Sequence, residues 1–255
     1  MHHFFVDLRQ IEGQKVRITG ADVNHIRNVL RMKPGEEILI SDGKGRDLLC
    51  QVCQIGPIEV LADVIREEES RELPASVTLY QGLPKSDKLE LIIQKAVELG
   101  AARIVPVVTK NVVVRLEPKK EESRRRRWQA IAESAAKQSK RSRIPEVSRV
   151  LRFAEALKEA SDSDVALFAY EHQKGMAETK KELAKAAPGQ RIALFIGPEG
   201  GFDDAEVRRA EEAGVRSVSL GKRILRTETA GSALLSMLML ELEIKGEERQ
   251  GALKL

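Results

Sequence analysis

The chain has 255 residues, with 43 Lys+Arg against 39 Asp+Glu, four His and two Cys. That length holds one large or two modest domains, and 42% apolar with 32% charged residues is a globular composition, not a disordered one. Two cysteines exclude a disulfide scaffold, and the longest near-continuous apolar run, residues 233–240, is too short to span a membrane. Residues 1–7 lack the basic-then-apolar layout of a signal peptide, so a cytoplasmic protein with no membrane partner is expected.

Residues 16–18, 37–41, 48–55 and 58–65 read as short strands. The turn signals Lys33-Pro34-Gly35, Asp42-Gly43-Lys44-Gly45 and Gly56-Pro57 separate them, which suggests a small β-barrel. Asp22 is placed to cap one short helix carrying Val23, Ile26 and Leu30. Residues 66–74 look like a polar linker. Beyond Pro74 strands and helices alternate. Strands are expected at 76–83, 103–109, 164–170, 191–196 and 215–220. Helices are expected from 86 to 100 and at 121–140, 176–186, 203–213 and 228–244. That alternation predicts an α/β layer on a mostly parallel sheet.

Charge is uneven. Residues 1–73 hold 10 basic and 13 acidic residues, whereas residues 119–152 hold 12 basic (including Lys119 and Lys120) against four acidic. Such a cluster suits a polyanion, though an ion-paired, solvated helix face has the same composition. Trp128 beside Arg124–Arg127 is either a base-stacking residue or a buried anchor for its helix.

Two loops near the C-terminus carry more information. Gly197-Pro198-Glu199-Gly200-Gly201-Phe202 and Gly221-Lys222-Arg223-Ile224-Leu225-Arg226-Thr227-Glu228-Thr229-Ala230 each follow a strand and precede a helix. Placed on adjacent strand ends, they lie where open α/β sheets bind ligands. Neither matches a P-loop or dinucleotide fingerprint, and no G-x-S-x-G is present. Cys50 and Cys53 fall in a strand pattern on opposite faces, and the histidines show no ligand spacing, so no metal is expected.

With the strand residues Leu194-Phe195-Ile196 and Leu220 before them, these loops closely resemble the two cofactor motifs of the 16S rRNA (uracil-N3)-methyltransferase family, in the SPOUT class of knotted methyltransferases. His25-Ile26-Arg27-Asn28-Val29-Leu30-Arg31, Gln94-Lys95-Ala96-Val97-Glu98-Leu99-Gly100 and Gln138-Ser139-Lys140-Arg141 agree as well, so the resemblance runs over residues 4–240. Departures are His3 before the aromatic pair, Lys137 before Gln138-Ser139, and Thr109-Lys110-Asn111. They bear on RNA contacts more than on the cofactor site.

The resemblance implies a PUA-like β-barrel over residues 1–70 that helps grip RNA, and a SPOUT α/β domain with a trefoil knot over 75–255. It implies S-adenosylmethionine bound by Gly197, Pro198, Glu199, Gly200, Gly201, Leu220, Gly221, Ile224, Leu225, Thr227, Thr229 and Ala230. The implied substrate is 16S rRNA or the small ribosomal subunit, gripped through His25, Arg31, Arg125, Arg126, Arg141 and Arg143. A homodimer is implied, with the helix over 228–244 serving either as interface or as core.

A sulfonium methyl group is already electrophilic and calls for no metal. Uracil N3 is a weakly acidic imide that must lose its proton, so the protein should supply a base or a cation. Glu199 and Glu228 are the candidate carboxylates and Arg226 the candidate cation. Arg226 is expected to stabilise the anion while Glu199 orients the base or the cofactor. The reading in which both only brace the loops stays open. N3 lies on the Watson–Crick edge, so the target must be unpaired. A ribose 2′-O-methyltransferase of the same class and a non-catalytic RNA-binding assembly factor are the alternatives.

Overall fold

The computed structural model describes residues 1–112, 118–173 and 175–253. They form two compact units, Met1–Glu72 with Ala136–Ile144, and Leu73–Ala135 with Pro145–Leu255. The first unit thus includes a return segment that a boundary drawn near residue 70 leaves out.

The first unit is a six-stranded sheet of β1 (His2–Phe5), β2 (Ile11–Glu12), β3 (Lys15–Thr19), β4 (Glu37–Ser41), β5 (Asp47–Ile55) and β6 (Glu59–Glu68). The order is β1-β4-β5-β6-β3-β2, antiparallel except for the β1–β4 pair. Side chains alternate as the pleat requires, so β3 buries Val16 and Ile18 and exposes Lys15, Arg17 and Thr19. With Phe4, Ile26, Ile38, Ile40, Leu48 and Val60 they make the core. Cys50 is buried and Cys53 exposed, as their opposite faces require, and burial pushes the Cys50 thiol up to about 12.

Two expectations fail in this unit. Asp22 does not cap the helix: α1 (Ala21–Asn24) starts after Gly20 with no side-chain cap and continues as a π turn over His25–Val29. Asp22 lies inside the first turn, past the capping position, and its carboxylate is 3.6 Å from Lys137 Nζ. The expected linker is partly strand, because β6 runs on to pair Arg66, Glu67 and Glu68 with Leu49, Leu48 and Asp47. Its ladder bonds do not depend on side-chain polarity, which is what the sequence reading weighed.

The return segment is held by buried polar groups. The Asp47 carboxylate, fully buried, accepts hydrogen bonds from Ser142 Oγ at 2.6 Å, from Ser41 Oγ and from Arg71 at 3.4 Å. His3 Nε2 lies 2.7 Å from Ser41 Oγ, and burial holds the His3 pKa below its ordinary value. Arg141, 3% exposed, pairs with Glu72. A carboxylate this deep is tolerated only because each oxygen is met by donors.

The second unit carries β7 (Ser76–Gly82), β8 (Arg103–Val108), β9 (Glu146–Val147), β10 (Leu151–Arg152), β11 (Val165–Ala169), β12 (Arg191–Ile196) and β13 (Arg216–Val218). All pairings are parallel, in the order β10-β8-β7-β12-β11-β13 with β9 on β8. β12 buries Ile192 to Ile196 without a break, as an interior parallel strand covered on both faces should. The helices are α2 (Lys88–Glu98), α3 (Pro118–Ser139), α4 (Phe153–Ala160), α5 (Met176–Leu183), α6 (Asp204–Glu212) and α7 (Thr227–Leu253). The two-residue strands β9 and β10 left no sequence signal, whereas α4, with Phe153, Ala156, Leu157 and Ala160 buried at helical spacing, was not among the expected elements although its pattern was present. Trp128 is 5% exposed, which makes it a buried anchor of α3 and not a stacking platform. The side chains of Lys119 and Lys120 lie outside the described residues.

Candidate functional site

β12 and β13 are not neighbours; β11 lies between them. The two glycine-rich loops therefore do not sit on adjacent strand ends as expected, and the end of β11 contributes a third wall. Together the three strand ends enclose a cavity of about 420 Å³, within the roughly 300–1,000 Å³ usual for small-molecule sites.

The first loop lines the cavity with Gly197, Pro198, Glu199 and Gly201, and the second with Leu220, Gly221, Ile224, Leu225 and Arg226. Thr227 and Ala230 close it from α7, Ala169 from the end of β11, and Tyr170 and Glu171 from the loop that follows β11. Gly200, Glu228 and Thr229 adjoin these residues without lining it. Sequence reasoning missed Lys88, Tyr170, Glu171, Lys222 and Arg223, which also line it. Only Lys222 and Arg223 stood in a motif; the others come from separate elements brought together by the parallel topology.

The loops are held by named bonds. Thr227 Oγ1 donates to the Gly197 carbonyl at 2.7 Å and accepts from Gln81 Nε2 at 2.8 Å, so this hydroxyl ties loop, sheet and helix. Phe202 packs edge-on against Phe168, with centroids 5.9 Å apart, and anchors the loop's far end. Gly201 adopts φ +64°, and a Cβ there would stand 2.8 Å from Glu171 Oε1. Asn111 Nδ2 donates to the Gly200 carbonyl at 2.9 Å, and Lys110 Nζ lies 2.7 Å from Asp203. The departure at 109–111 thus also braces the first loop.

Glu199 receives the Lys85 N–H at 3.2 Å and lies 3.1 Å from Lys88 Nζ. Burial would raise its pKa, but hydrogen bonds from its own N–H, from Lys88 and from Lys85 outweigh that and hold the carboxyl below the usual range. A carboxylate so held is a poor proton acceptor. Glu228 Oε2 is 3.5 Å from Lys88 Nζ. Arg226 is exposed and has no carboxylate partner among the described residues.

The expected RNA contacts separate by pairing. Within the first unit Arg9, Lys15, Arg17, Arg46 and Arg66 are each paired with a carboxylate. His25 and Arg31 are exposed, and neither has an acidic partner among the described residues. Arg143 is exposed beside Gly45. Arg141 is a correction: buried against Glu72, its guanidinium is not offered to a phosphate. In the second unit Arg125 and Arg126 both share Glu122, at 3.2 and 4.0 Å, and both remain at least partly exposed. Among the described residues no helix is long and apolar enough to cross a membrane, and no group of three or more His, Cys, Asp or Glu is placed to hold a metal ion.

A parallel sheet whose glycine-rich loops gather over one cavity at its C-terminal edge is a small-molecule-binding α/β domain, here joined to a six-stranded, mostly antiparallel sheet. The family described as RNA methyltransferase domain matches residues 71–239, and that described as RNA methyltransferase PUA domain matches residues 18–65. The chain belongs to the RNA methyltransferase family, and its α/β unit has the SPOUT-class fold. It is similar to ribosomal RNA small subunit methyltransferase E of Bacillus subtilis, 39% identical over 96% of this chain and 98% of that one. The Mycobacterium bovis protein of the same name is 33% identical over 91% of this chain and 88% of its own. The crystal structure of the Neisseria gonorrhoeae enzyme of that name, bound to S-adenosyl methionine, superposes with TM-score 0.81 at 32% identity, covering 94% of this chain and 97% of that one.

Proposed function

We propose that this protein transfers a methyl group from S-adenosylmethionine to N3 of an unpaired uridine in 16S ribosomal RNA. The observation that carries this reading is the single cavity built by the glycine-rich loops of β12 and β13, in a chain alike over nearly its full length to small subunit methyltransferase E. The residues present fit the cofactor. Glycine backbone at 197, 201 and 221 permits close approach, Leu225 and Ala230 supply apolar wall, and the exposed Glu171 carboxylate can accept hydrogen bonds from hydroxyl or ammonium groups.

When bound, the cofactor supplies an electrophilic methyl group. Arg226, unpaired at the cavity, stabilises the negative charge that spreads over O2 and O4 as the N3 proton leaves to solvent. Glu199 keeps the first loop in place through Lys85 and Lys88 and serves as orienting group, not as base. His25, Arg31 and Arg143, whose side chains have no carboxylate partner among the described residues, are the phosphate contacts this reading assigns to the first unit, with Arg125 and Arg126 on the second.

The same reading makes the protein a cytoplasmic homodimer. Leu240 and Ile244, 61% and 47% exposed on α7, support an interface there.

The test is transfer from labelled S-adenosylmethionine to small subunits and naked 16S RNA from cells lacking this protein, with mass spectrometry of the nucleosides. The expected product is 3-methyluridine. Ribose methylation would keep the cofactor and reject the base. Arg226→Ala should lower the transfer rate by about 10²–10³ with cofactor affinity unchanged, the loss typical of a charge-stabilising donor; an unchanged rate would remove that role.

A further inference from the structure

Three segments far apart in sequence converge on one ammonium group. Lys88 opens α2, Glu199 lies in the loop after β12, and Glu228 sits in the first turn of α7. Lys88 Nζ is 3.1 Å from Glu199 Oε1 and 3.5 Å from Glu228 Oε2. Glu228 Oε2 is buried and has no hydrogen-bond partner among the described residues, so the Lys88 charge 3.5 Å away is what offsets its burial. Two carboxylates brought this close repel each other, and a buried carboxylate oxygen is costly without a countercharge. Lys88 also lines the cavity, with its side chain 31% exposed.

We propose that Lys88 is a positioning residue for methyl transfer, whose ammonium group gathers the carboxylates of Glu199 and Glu228 and so fixes the first glycine-rich loop against the start of α7. The inference rests on the methyltransferase reading and adds a residue to it. Its consequence is a division of labour. Both carboxylates are engaged by Lys88, which leaves Arg226, on the adjoining loop, as the cation this reading assigns to the uracil. The charged groups facing Lys88 are Glu199, which also accepts the Lys85 backbone N–H, and Glu228 from α7; Glu171, Lys222, Arg223 and Arg226 are the other charged residues that line the cavity.

The test compares Lys88→Gln, Lys88→Arg and the double variant K88Q/E228Q with the unaltered protein. S-adenosylmethionine affinity is measured by calorimetry across pH 5.5 to 9, beside the single-turnover transfer rate. In Lys88→Gln the Glu199 carboxylate loses the cation that helps hold its pKa down, so the acid limb of cofactor binding should move to higher pH. The transfer rate should fall at least tenfold. Lys88→Arg should restore most of the rate, and K88Q/E228Q should recover cofactor affinity because the repulsion is gone. Wild-type pH dependence in Lys88→Gln, or no rescue by either second variant, would overturn the proposal. Should Lys88→Gln fail to fold, a folded K88Q/E228Q supports the clamp and an unfolded one refutes it. If the unaltered protein binds the cofactor but methylates no RNA, the functional reading fails by itself, while the pH shift of binding still decides the role of Lys88.

Discussion

Gly82 ends β7 directly beneath the first glycine-rich loop. A Cβ built there would stand 2.5 Å from Pro198 Cδ, 2.6 Å from Pro198 N and 2.9 Å from the Gly197 carbonyl carbon. Ordinary contact begins near 3.4 Å, so Gly82→Ala is short by nearly 1 Å. The atoms it meets are backbone and a proline ring, which cannot rotate aside. Overpacking of this kind costs about 1–3 kcal/mol, taken up by strain or by moving the loop. In a chain of this size each kcal/mol lowers Tm by roughly 2–4 °C. A loop displaced by about 1 Å should also cost on the order of 10² in transfer rate. Gly231→Ala is the control: its Cβ would meet nothing nearer than Gln81 Oε1 at 3.6 Å. Within a helix that exchange should stabilise by roughly 0.5–1 kcal/mol. Calorimetry with S-adenosylmethionine and thermal melting of both variants decide the matter. Unchanged affinity and Tm in Gly82→Ala would mean that the loop has slack, and the reasoning from its packing would fall.

Arg141→Ala should destabilise the protein in urea by roughly 3 kcal/mol, because it strands Glu72 beside a buried site, without flattening the salt dependence of RNA binding. Arg126→Ala should leave stability unchanged and lower the slope of log affinity against log salt by up to about 0.9; the opposite pattern would reverse the assignments. His3 gives a pH signature. Burial keeps its pKa below the ordinary 6.5, so the unfolded chain binds the proton first as pH falls. Its contribution to stability is complete above pH 6.5 and declines as pH drops from there toward the lower folded-state value. His3→Gln, which keeps a polar group beside Ser41, should flatten the urea midpoint between pH 7.5 and 5.5; an equally steep decline in that variant would refute the attribution.

Long periodic elements were legible in the sequence. The apolar run of β12 and the spacing along α2 announced themselves because local pattern and tertiary burial agree there. Elements of two residues, such as β9 and β10, exist only through their pairing with β8 and leave no local trace. The two loop motifs were found from glycine, proline and strand context. Lys88, Tyr170 and Glu171 were not, because strand order is a non-local property: only the placement of β11 between β12 and β13 brings its end to the cavity. Arg141 was misjudged for a related reason. Composition counts a cation as available, whereas its partner Glu72 lies 69 positions away in the chain.

The return segment Ala136–Ile144 has a consequence for synthesis. The first unit buries Asp47 against Ser142, a contact 95 positions apart. As the chain leaves the ribosome, β1 to β6 emerge well before Ser142. For that interval Asp47 has only Ser41 and Arg71 as partners, and its full set of donors must await synthesis of β7, α2, β8 and α3. A fragment ending at Glu72 would remain in that unfinished state, so the N-terminal unit is a late product of translation despite being encoded first.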